Sequence, residues 1–97
     1  MLFVGEKLSM KQIKLSGRER TVLRSIDFSA ATPGAEILEH SRLAPEDLVD
    51  VLNGLISVGY AEVIPYAEMT SVATFRDSHF EVNPSYALEL RAAMVRV

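Results

Sequence analysis

A mainly α domain with a small β-hairpin, an α+β fold with a three-helix core and a further helix at the C-terminus, is predicted by three observations. Helix-start signals recur along the chain at Ser16, Thr32-Pro33, Pro45 and Asn83-Pro84. Leu48, Val51, Leu52, Leu55 and Val58 repeat at spacings of three and four, the period of one helix face. Beyond Gly59, residues 60–66 and 78–83 read as two strands, the second alternating Phe80 and Val82 with His79 and Glu81.

Each element has its own local cause. Ser16, Gly17, Arg18 and Glu19 form a capping box, in which the serine oxygen and the glutamate carboxylate each satisfy an N–H at the helix start. Val22, Leu23 and Ile26 continue that helix to an expected end near Phe28, with Arg18, Arg20, Arg24 and Ser25 toward solvent. Residues 29–32 are small and polar and have room for a short first strand. Thr32 and Pro33 predict a second helix start, threonine as cap and proline at the first helical position, with Ile37 and Leu38 inward and an end by His40 or Ser41. After a short connection Pro45 opens the third helix, with Glu46 and Asp47 where the helix dipole favours carboxylates. Gly59 is its left-handed stop. Residues 67–77 are expected as a long loop or as lengthened strands around a tip near residues 68–71, and Asn83-Pro84 starts the last helix, patterned by Tyr86, Leu88, Leu90, Ala93, Met94 and Val97. The expected core is Leu23, Ile26, Leu38, Leu48, Leu52 and Leu55. Residues 1–15, in which Leu2, Phe3 and Val4 cluster and Ile13 and Leu15 alternate with Gln12 and Lys14, form an N-terminal arm to a domain spanning residues 16–97, whose C-terminal helix begins at about residue 84.

Composition narrows the function classes. A chain of 97 residues, 48% apolar and 24% charged, suits one globular domain rather than a disordered segment. Chains this short bury only about two thirds of the surface that they expose when unfolded, which makes self-association worth expecting. No Cys is present, so disulfides, thiolate metal sites and cysteine nucleophiles are excluded. No apolar run reaches the roughly 20 residues of a membrane span, and the stretch from Leu2 to Val4 is too short for a signal peptide, so a cytoplasmic protein without a membrane partner is expected. The net charge of −3 is unevenly spread. Lys7, Lys11, Lys14, Arg18, Arg20 and Arg24 face only Glu6 and Glu19 in the first 24 residues, whereas Arg42 stands alone among Asp27, Glu36, Glu39, Glu46, Asp47, Asp50, Glu62 and Glu68. A nucleic acid would meet the first set, and a basic partner the second.

No catalytic constellation is readable. Glu46, Asp47 and Asp50 share a helix face, but carboxylates are common in a first turn for dipole reasons alone. His40 and His79 have no ligand-like spacing, no serine sits in a nucleophile elbow, and the five glycines are scattered rather than forming a phosphate-cradling loop. The expectation is therefore a protein that is not an enzyme, with no metal and no cofactor.

The order of elements from residue 16 to residue 94 resembles the winged helix-turn-helix domains of bacterial transcription regulators. The closest local match is Leu52, Asn53, Gly54, Leu55, Ile56, Ser57, Val58, Gly59 and Tyr60, like the end of a recognition helix turning into a wing strand. The resemblance implies base contacts from exposed early positions of the third helix, here Glu46, Asp47, Asp50 and Asn53. It implies backbone contacts from the preceding turn, Ser41 and Arg42, and from the wing, Arg76 and His79. Three carboxylates at the leading end of such a helix depart from that role, because duplex DNA carries about one negative charge per 1.7 Å and is held by Lys and Arg.

Two readings follow. In the first, the chain is a small DNA-binding transcription regulator acting as a homodimer through Lys11, Lys14, Arg18, Arg20, Ser41, Arg42, Asn53, Arg76 and His79, with the tail helix around Leu88, Leu90 and Met94 at the dimer seam. In the second, it is a winged helix used as a protein interaction module, in which Glu46, Asp47 and Asp50 meet a basic partner and DNA is not read.

Overall fold

A computed structural model describes residues 13–95 of the chain; the expectations for Lys11, for the apolar cluster at Leu2, Phe3 and Val4, and for Val97 lie outside the described residues. Over the described residues the fold is α+β, four helices with a small three-stranded antiparallel sheet. Helix α1 (Gly17–Arg24) begins at the expected capping box, Ser16 Oγ accepting the Glu19 N–H at 3.1 Å and Glu19 Oε1 accepting the Ser16 N–H at 2.8 Å. It ends four residues earlier than the apolar spacing predicts. The N–H groups of Ser25 and Ile26 tighten onto the Val22 and Leu23 carbonyls, and the Asp27 N–H then leaves the helix for Thr32 Oγ1 at 2.9 Å. Asp27 closes the following turn by accepting the Ser29 N–H and hydroxyl, which hold its carboxyl below the usual carboxylate range.

Strand β1 is Thr32–Pro33, later than residues 29–32, and helix α2 (Gly34–Ser41) follows it directly. Thr32 is thus not the helix cap. Its hydroxyl serves Asp27, and Pro33 occupies the cap position with extended backbone and no side-chain cap bond. Proline is tolerated there because β1 is an edge strand of the sheet order β1-β3-β2. Arg42 ends α2 in the left-handed region (φ 61°), donating its N–H to the Leu38 carbonyl. Helix α3 (Pro45–Ser57) starts with proline as expected and stops in a Schellman arrangement: Tyr60 N–H to Leu55 carbonyl, Gly59 N–H to Ile56 carbonyl, with Gly59 at φ 85°. Val58, read as part of the buried stripe, lies past the last helical residue and is exposed.

Strands β2 (Ala61–Ile64) and β3 (His79–Val82) pair antiparallel, Val63 opposite Phe80 and Ala61 opposite Val82 on the inner face. The outer face sets Glu62 opposite Glu81 and Ile64 opposite His79. Residues 65–78 between them are a loop rather than lengthened strands, and it ends in a 3₁₀ turn, Phe75–Asp77, packed on α2. Asn83 caps the next turn by accepting the Ser85 N–H, and its amide also donates to the Gly59 carbonyl. The first turn after Pro84 is 3₁₀ (Pro84–Tyr86), and α4 (Ala87–Val95) follows.

Leu23, Ile26, Leu48, Leu52 and Leu55 are buried together as expected. Leu38 is only half-buried. Gly34, Ile37 and Ser41 make the inward line of α2, because that helix is set by its packing on the Phe75–Asp77 turn and on α1. Ile13 and Leu15 pack against the same core, so the end of the N-terminal arm belongs to the domain's own packing. No helix among the described residues is long and apolar enough to cross a membrane.

Candidate functional site

The largest group of residues to which the sequence assigns a function lies on α3 and beside it. Glu46 and Asp50 are exposed one turn apart near the start of the helix. Asp47 is half-buried and faces Arg18 of α1, whose Nη1 lies 3.6 Å from its Oδ1. Both side chains keep much of their solvent contact, so this pair adds little stability. It does, however, turn one of the cations expected to face DNA toward a carboxylate of α3.

Asn53 sits further along α3 and is engaged inside the molecule. Its Oδ1 accepts the Thr70 N–H at 2.7 Å and its Nδ2 donates to the Thr70 carbonyl at 3.1 Å. This reciprocal pair, made between residues 17 apart in sequence, lays the loop from β2 to β3 along the third helix. Thr70 is itself buried, its hydroxyl without a hydrogen-bond partner, and Phe75 farther along the loop is fully buried. A carbon added to Gly34 would stand 1.9 Å from the Phe75 carbonyl oxygen, so the loop backbone and the start of α2 are in direct contact. The segment expected as a long loop or as lengthened strands is a loop folded onto α2 and α3.

The remaining site residues are scattered. Ser41 is buried, its hydroxyl donating to the Leu38 carbonyl and accepting the Leu43 N–H. The Arg20 guanidinium donates to the Leu15 carbonyl at 2.8 Å. Arg76 lies 4.9 Å above the ring of its neighbour Phe75, and His79 is exposed at the start of β3. Lys14 and Arg42 are exposed. Among the described residues no three His, Asp or Glu side chains come together as a metal-binding group.

On the tail helix, Leu90 is fully buried and Met94 half-buried, so neither presents the outward face that the sequence pattern assigned to them. Leu88 (76% exposed) and Val95 (79%) are the large apolar residues turned outward, with Ala92 between them.

Thr70 and Phe75 are the positions that sequence reasoning left unassigned. Thr70 carries no local signal. Phe75 is a large aromatic in a segment with no clear period, a sign of burial that does not say against which element. Comparison with protein-family models, curated proteins and solved structures gave no match to the chain.

Proposed function

We propose that the chain is a winged helix domain working as a protein interaction module for a basic partner. The succession α1-β1-α2-α3-β2-β3-α4, with β1 paired to the outer side of the hairpin, supports the winged helix part. The Asn53–Thr70 pair carries the functional part: it commits the polar side chain in the middle of α3 to the loop, and leaves the exposed carboxylates Glu46 and Asp50 as the leading charges of the helix. Of the basic residues expected to hold phosphates, Arg18 faces Asp47 and Arg20 is bound to the Leu15 carbonyl. A face of this sign repels a duplex and attracts a cationic surface, acting mostly on association rate and salt dependence.

A salt series against random duplex tests this reading. The expected result at physiological salt is binding weaker than the roughly 10⁻⁴ M limit of ordinary non-specific DNA binders, with no steep dependence on salt. A steep slope would reject the interaction reading in favour of DNA binding through Lys14, Arg42 and Arg76. Asn53→Ala, which leaves the Thr70 backbone groups without their partner, is expected to lower stability by about 1–2 kcal/mol in urea unfolding.

The proposal includes a homodimer through the start of α4, since small size and the outward Leu88 both favour burial against a twin. Sedimentation at high micromolar concentration should give about twice the 10.7 kDa chain mass, and Leu88→Lys should return the monomer. A wild-type mass of one chain would remove the dimer from the proposal.

A further inference from the structure

A groove of about 580 Å³ runs between the end of α1, the turn after it, and α4. That volume lies within the range of about 300–1,000 Å³ typical of small-molecule sites. Buried Leu23 and Ile26, half-buried Phe28 and Met94 and exposed Val95 supply its apolar surface, and two arginines, Arg24 and Arg91, stand on its walls. It lies at the opposite end of α1 from the Arg18–Asp47 pair.

The two guanidinium groups are placed differently, and each keeps donors for an incoming acceptor. The Arg91 guanidinium carbon lies over the Phe28 ring, 4.6 Å from its centroid. A cation–π contact draws on the charge of a guanidinium rather than on a hydrogen-bond acceptor, so N–H donors remain for a partner such as a carboxylate. Arg24 uses one nitrogen, Nη2, on the Met94 carbonyl at 3.3 Å. Neither arginine is within 4.0 Å of a carboxylate among the described residues, where Arg18–Asp47 is the ion pair formed. The third charge at the groove is Asp27, whose Oδ1 accepts the N–H and hydroxyl of Ser29 at 2.9 and 2.7 Å and whose carboxylate also interacts electrostatically, more weakly, with Arg91. Two cations and one anion, in a chain whose net charge is −3, give the described lining of this groove an excess of one positive charge over an apolar floor.

We propose that this groove binds a small monocarboxylate with an apolar body, an aromatic or short alkyl acid, whose carboxylate is taken by Arg91 and Arg24 and whose body lies over Phe28, Met94 and Ile26. A monoanion matches the single excess charge. The planar donor fork of an arginine favours a carboxylate, and the apolar floor favours an acid with hydrocarbon to bury.

The test titrates the full chain with 1-naphthoate and with octanoate while following backbone amide shifts, beside 1-naphthalenemethanol as the neutral counterpart. The expected result is saturable shifts at Ile26, Phe28, Arg91 and Met94, with the alcohol binding at least about tenfold more weakly, the discrimination that charge-assisted hydrogen bonds provide. Arg91→Gln should weaken naphthoate by about tenfold or more, and Arg91→Lys should fall between it and wild type because it keeps the charge and loses the fork. Arg91 is exposed, so losing its contact with Phe28 should move the unfolding midpoint only slightly and leave both variants folded for the titration; Arg24→Gln gives a second, independent loss. Four outcomes overturn the proposal: no saturable shift up to low millimolar acid, equal binding of the alcohol, shifts centred elsewhere, or tighter binding of a short apolar peptide through its terminal carboxylate.

Discussion

Truncation of Phe75 to Ala is expected to cost about 3–5 kcal/mol of folding stability, the range for removing a fully buried aromatic ring. The ring has no solvent exposure, belongs to the same core cluster as Ile37 and Phe80, and lies in the turn that packs on α2. Its loss removes the apolar anchor of the β2–β3 loop and leaves a cavity beside α2 that rigid neighbours fill only in part. Urea unfolding with an unchanged slope and a lowered midpoint would register the effect as stability rather than altered compactness. A change within error would mean that the loop stands away from the domain, as a projecting wing does, and the argument from Asn53 would fall with it.

Gly34→Ala is expected to be of comparable size, about 3 kcal/mol or more, at the upper end of overpacking costs. The cause is steric and lies in backbone rather than in a movable side chain. The new Cβ would sit 1.9 Å from the Phe75 carbonyl oxygen and 2.7 Å from its carbon, with the Phe80 ring 3.1 Å away. Either α2 or the Phe75–Asp77 turn must move, and both are tied into the sheet: the Gly34 N–H donates to the Ser78 carbonyl at 2.9 Å. Gly54→Ala is the matched control, since a Cβ there meets nothing within 4 Å and the substitution favours the helix. Thermal unfolding of the two variants should therefore shift in opposite directions. Similar midpoints would show that the close approach at Gly34 is absent in solution.

Local chemistry was readable wherever it involves neighbours in sequence. The capping box at Ser16, the proline start of α3, the glycine stop at Gly59 and the in-out alternation of Phe80 and Val82 are satisfied within a few residues, and the described structure has each of them. Where local signals competed, the sequence misjudged the winner. Thr32-Pro33 has the composition of a helix start, but pairing with Phe80 and His79 draws both residues into a strand and begins the helix at Gly34. The apolar spacing from Val22 to Phe28 fits a longer helix, yet the Asp27 N–H finds a better partner in Thr32 Oγ1 and the chain turns away.

The candidate site was legible only in its charge. The sequence by itself determined an α+β domain with an acidic third helix, because helical period, caps, strand alternation and the sign of side chains are properties of short windows. Only the tertiary structure decided that Asn53 holds Thr70, that Arg18 faces Asp47, that Phe75 plugs the start of α2, and that Arg24 reaches the Met94 carbonyl, 70 residues away. These are contacts between segments with no common period, chosen by which surfaces meet when the core closes. A single side chain carries no mark of its distant partner, so whether an asparagine on a helix reads a ligand or clamps a loop is settled by packing.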